Sequence, residues 1–104
     1  MSYIIIFTTT ADKESAQKIA DELLEKNLAA CVSFTPIFSN YKWQGRIQRE
    51  KEIEIQIKTK AKLYKKVEET IKSLHMYETP QIIAVAIKQG CNNYLEWIDK
   101  SLKG

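Results

Sequence analysis

Apolar and polar positions along this chain change period several times, and each change marks a structural element. Residues 3–7, YIIIF, are a continuous β-prone apolar run, which predicts a strand covered on both faces. Three threonines follow, and either Thr10 or Asp12 can cap a helix. Ala16, Ile19, Ala20, Leu23 and Leu24 then fall at i, i+3, i+4, i+7 and i+8. That spacing predicts one apolar stripe on an amphipathic helix ending near Asn27. Residues 28–34, LAACVSF, are apolar again but too few for another helix, so they read as a second, buried strand. Pro36 and the Ser39-Asn40 pair predict a bend or a sheet edge beyond it, because proline cannot donate to a ladder.

Gln44-Gly45, flanked by Trp43 and Ile47, is the strongest hairpin signal in the chain. Residues 52–58, EIEIQIK, then alternate strictly, with Ile53, Ile55 and Ile57 on one face and Glu52, Glu54, Gln56 and Lys58 on the other. Leu63, Val67, Ile71 and Leu74 carry helical spacing over residues 61–74, with Glu68 and Lys72 set for an i, i+4 pair. Pro80 pushes the residue before it towards an extended backbone, so this helix is over by Thr79. Residues 82–87, IIAVAI, read as another doubly buried strand. Gly90 with Asn92 or Asn93 opens a last helix that puts Tyr94, Leu95, Ile98 and Leu102 on one side.

The resulting order, β-α-β-β-α-β with an extra C-terminal helix, is that of an α+β, ferredoxin-like antiparallel sheet with helices on one face. Two helices leave the other face of YIIIF and IIAVAI uncovered, and a third short helix is too small to cover it alone. Contiguous exposed apolar surface marks association sites, so the pattern predicts self-association through that face or through the long hairpin.

With 104 residues, 44% apolar and 28% charged, the chain reads as one globular domain, residues 1–104, without repeats or linkers. A net charge of +3 selects no class of partner. No apolar run reaches the about 18 residues of a membrane span. The N-terminal MSYIIIFTTT lacks a basic leader, so a cytoplasmic location without membrane attachment is expected. Cys31 and Cys91 form no CxxC or zinc-ribbon spacing and are expected as reduced thiols. The basic stretch at 58–66, KTKAKLYKK, raises a nucleic-acid reading. The neighbouring strand opposes it, having none of the stacking aromatics that ferredoxin-like RNA binders use, while Glu50, Glu52 and Glu54 would repel phosphate. No GxSxG, phosphate loop or HExxH is present, and no enzyme is expected.

The segment LHMYETPQ, residues 74–81, holds the single histidine and concentrates the candidate chemistry. His75 offers an imidazole, the commonest side-chain ligand for copper and zinc, and Glu78 an oxygen three residues on. The alternative is a helix-terminal histidine favoured by the helix dipole. Cys31 would suit Cu(I) as a thiolate, or serve as a small hydrophobe in a strand. Cys91 opens the last helix without an evident partner. Trp43, Tyr41, Tyr77 and Trp97 are core or interface anchors, or walls of a ligand cleft. Lys58 is a solvated strand residue or faces such a cleft together with Trp43, His75, Tyr77 and Glu78.

LAACV, Y-x-W-x-G at 41–45, I-K-T at 57–59, H-x-Y-E-x-P at 75–80 and NYLEW near the end occur in an order and spacing that resemble the divalent-cation tolerance (CutA) family over nearly the whole chain. The resemblance implies a small ferredoxin-like subunit that assembles as a homotrimer with interlocking hairpins. It also implies a role in tolerance to copper or other divalent metal ions and no secure enzymatic activity. On that basis His75, Glu78 and Cys31 are the metal-ligand candidates, and Trp43, Lys58 and Tyr77 are expected in an inter-subunit cleft. No organic cofactor is expected. Two positions depart from the family pattern: Met76 stands where a proline commonly follows the histidine, and Gln81 where a glutamate commonly follows Pro80. The second departure removes one potential carboxylate ligand.

Overall fold

The computed structural model describes residues 2–102. Its elements run β1 (Tyr3–Thr10), α1 (Lys13–Glu25), β2 (Cys31–Trp43), β3 (Arg46–Lys60), α2 (Tyr64–Leu74), β4 (Ile82–Ala86) and α3 (Asn92–Ser101), with a single 3₁₀ turn at Ala61–Leu63. The sheet order is β2-β3-β1-β4, antiparallel throughout. This is the ferredoxin-like arrangement with an added C-terminal helix.

Capping and periodicity account for the helices. Asp12 Oδ1 accepts the Ser15 N–H at 2.7 Å, which satisfies one of the free donors of the first turn of α1. The chain leaves α1 through Lys26 and turns at Asn27, whose φ of 57° is the left-handed conformation asparagine tolerates. The α1 stripe is buried at Ala16, Ile19, Ala20 and Leu23 as its spacing predicts, whereas Leu24, at the edge of that stripe, is exposed. It packs with Val67 and Ile71 of α2 on Ile4, Ile6, Ile55 and Ile57 of the two central strands. Burying side chains of that size stabilises the fold by about 1.5–3 kcal/mol each.

The opposite face is different. Register places Ile5 between Lys58 and Val85, and Phe7 between Gln56 and Ile83, all directed away from α1 and α2. Here α3 covers one end only: Lys60 Nζ donates to Asp99 of α3, and Lys58 Nζ lies 5.8 Å from the Tyr94 ring centroid. The expectation of a doubly buried fourth strand fails within one chain, for β4 is exposed at every position but Ile82. As an edge strand it has a neighbour on one side only, and neither helix layer reaches over it. Cys31 likewise begins β2 half-buried rather than in the interior, because the strand starts three residues later than its apolar run.

The β2–β3 hairpin extends well past the helices and gives the subunit a long axis of 45 Å. Pro36 sits within β2 opposite Ile53 without interrupting it, which an edge strand permits. Phe38, 81% exposed, and Ile47, 59% exposed, stand on the projecting arm. Among the described residues no helix is long and apolar enough to cross a membrane.

Candidate functional site

The hairpin register starts at its turn. Gln44 and Gly45 have φ of 50° and 76°, the pair of left-handed residues that a two-residue turn of matching twist requires. Counting back from it pairs Trp43 with Arg46, Tyr41 with Gln48, Ser39 with Glu50 and Ile37 with Glu52. Since side chains alternate, Trp43, Tyr41, Glu50 and Glu52 all emerge on one side, the face that α1 and α2 leave open.

The second wall comes from the chain between α2 and β4. His75 ends α2 in an extended conformation and ties this segment to the end of β1. Its Nε2 lies 2.6 Å from the Thr9 carbonyl oxygen, and its Nδ1 3.1 Å from the Tyr77 N–H. A carbonyl only accepts and an N–H only donates, so in this arrangement Nε2 is the donor to Thr9 and Nδ1 the acceptor from Tyr77. Both ring nitrogens are committed to backbone. The Tyr77 ring packs at 4.7 Å from the imidazole, and its phenol donates to Glu52 Oε2 at 3.0 Å. Across the hairpin the Tyr41 phenol donates to Glu50 Oε1.

Between these walls is a cavity of about 350 Å³, whose lining includes Trp43, Tyr41, Tyr77, Glu50, Glu52 and Glu78. Its lining contains no lysine or arginine. Burial, the hydrogen bond to Glu52 and the field of Glu52 and Glu50 together hold the Tyr77 phenol protonated far above its ordinary range. The bond to Glu50 raises Tyr41 in the same direction. Glu52, only 7% exposed, keeps a carboxylate at the base of this hairpin arm.

The structure therefore brings Trp43, Tyr77 and Glu78 together and places His75 behind them as the group that fixes the segment. Lys58 and Cys31 face each other elsewhere, six residues along β3 from Glu52, or about 20 Å at 3.3 Å per residue. His75, Glu78 and Cys31 do not converge. Among the described residues no three His, Cys, Asp or Glu side chains are grouped to hold a metal ion. A single chain does not supply a fitting donor set, since the imidazole is committed and the thiol is remote. Sequence reasoning passed over Glu50 and Glu52 as site residues and weighed them only as phosphate repellents. Counting from the Gln44-Gly45 turn would have aligned both with Tyr41 and Trp43.

Residues 4–101 match the family described as CutA1 divalent ion tolerance protein. The chain belongs to that family. Among its relatives is the divalent-cation tolerance protein CutA of Archaeoglobus fulgidus, 39% identical over 94% of this chain and 96% of the relative. The chloroplastic protein CutA of Arabidopsis thaliana is 35% identical over 96% of this chain but only 56% of its own, longer chain. In three dimensions the crystal structure of CutA1 from Oryza sativa superposes with a TM-score of 0.96 at 36% identity. That superposition covers 99% of this chain and 95% of the other. The motifs at 41–45 and 75–80 both contribute to the cavity walls, which Thr9, Glu50, Glu52 and Gln81 complete.

Proposed function

We propose that the protein acts as a non-enzymatic homotrimer in the cytoplasm and contributes to divalent-cation tolerance. Copper or another divalent ion would be held where a second subunit completes the donors that one chain lacks. The observation carrying this reading is exposed apolar surface: Ile83, Val85 and Trp43 are exposed on the open sheet face, and Phe38 and Ile47 are exposed on the other side of the projecting hairpin arm. Surface of that kind favours burial against copies of the chain. Family membership supports the link to divalent ions, and the exposed apolar surface supports the assembly. Within this reading Glu78 is the available oxygen ligand at the cavity, and His75 positions it unless assembly frees a ring nitrogen.

Sedimentation equilibrium tests the assembly, which should be trimeric at micromolar concentration; a stable monomer would overturn it. Calorimetric titration of the assembled protein with Cu(II) and Zn(II) tests the ion. Binding that weakens at least tenfold in Glu78→Gln supports the reading, and heat indistinguishable from dilution rejects it.

A further inference from the structure

Glu52 presents an unusual electrostatic position. Its residue is 93% buried, yet the partner found for it is a neutral phenol, that of Tyr77. None of the ion pairs formed among the described residues involves Glu52, Glu50 or Glu78. A carboxylate withdrawn from water is costly unless a cation or several donors compensate it. The cavity it borders carries two further carboxylates and three aromatic rings, with no cation to balance them.

We propose that this cavity binds an organic cation, a guanidinium or alkylammonium group on a short apolar frame, with Glu52 as charge partner and Trp43 as stacking wall. A bare metal ion suits the cavity less well. Its carboxylates do not converge on one point, and Glu50 and Glu52 each already accept a phenolic hydrogen bond. An organic cation spreads its charge over several atoms and can meet separated carboxylates while its carbon frame lies on aromatic faces. About 350 Å³ is at the small end of the range for ligand cavities, which fits a compact group of this kind. The cation has two possible sources: a free small molecule, or a side chain from a second copy, whose own hairpin carries Lys42, Arg46, Arg49 and Lys51. The inference rests on one chain's cavity and not on metal binding, so the copper and zinc titrations can fail without touching it.

The test is calorimetric titration of the full chain, as assembled, with butylguanidinium, and with butylurea as the uncharged counterpart. One butylguanidinium should bind per chain, and butylurea should not. Glu52→Gln, which keeps an acceptor for Tyr77, and Trp43→Ala should each weaken binding at least tenfold. Binding seen only after Lys42, Arg46, Arg49 and Lys51 are all changed to Gln would support the same chemistry and assign the cation to a second copy. Absence of binding in both proteins would overturn the proposal. So would equal affinity in Glu52→Gln, or equal binding of butylurea.

Discussion

Two buried charges lie on β3, eight residues apart and on the same face of the sheet, and their surroundings could hardly differ more. Lys60 is 5% exposed and its ammonium meets the Asp99 carboxylate on α3. Glu52 is 7% exposed and meets a phenol. At the Lys60 end, a helix of the same chain arrives to neutralise the charge and close the face. At the Glu52 end no helix arrives; the hairpin and the 75–81 segment leave a walled cavity instead. The first end is a finished piece of fold. The second has the composition of a receptor, since a buried charge without a counter-charge gains from any cation that reaches it.

Substitutions can break or sharpen this contrast, and the largest effect is expected at the finished end. Asp99→Asn removes the α3 carboxylate that the buried Lys60 ammonium meets. Chemical denaturation should show the greatest stability loss of the variants considered, and an unchanged midpoint would mean that the pair contributes nothing. Tyr77→Phe comes next, leaving the buried Glu52 carboxylate without its donor at a cost of about 2 kcal/mol. Glu52→Gln should go the other way in the ligand-free protein. It removes an uncompensated charge while preserving the hydrogen bond, for a gain of about 1 kcal/mol. A loss there would show that a cation from a second copy already reaches the site.

The pH response reads the same two contacts by titration. The Lys60 ammonium holds Asp99 below the ordinary carboxylate range. Its contribution is therefore full above the unfolded value of about 4 and is lost as pH falls through the folded one. Tyr77 is shifted upwards, so the fold favours its protonated form. That contribution is complete below about pH 10 and disappears only as pH rises through the higher folded value. Ultraviolet titration of the wild type against Tyr77→Phe should show one phenol fewer in the strongly alkaline phase alone. Glu52→Gln should bring that phenol's titration to lower pH.

The strands and helices were legible because each carries a clear period. The α1 stripe, the alternation at 52–58 and the Gln44-Gly45 turn all appear where their spacing placed them, with β3 longer at both ends than its alternating core. The fate of β4 was not legible. Its apolar run speaks for burial, but an edge strand beyond the reach of α1 and α2 stays exposed until something else covers it. The site was legible in half. LHMYETPQ does form a wall of the cavity, yet His75 works through two backbone hydrogen bonds that no spacing rule could anticipate. Glu50 and Glu52 entered the sequence reading only as groups that repel phosphate, and the burial of Glu52 was not legible, because alternation assigns a face and not a depth.

By itself the sequence determined the period of each segment, the turn that sets the hairpin register, and so which side chains share a face. These are local properties, set by backbone sterics and by side-chain direction along one element. Only the tertiary structure decided which of those faces would be buried and which charge would find a partner. Lys60 and Asp99 are 39 residues apart in the chain, and Glu52 and Tyr77 are 25 apart. Burial and charge compensation depend on what arrives from elsewhere in the chain. The same strand therefore carries one charge that is paired and one that awaits a cation.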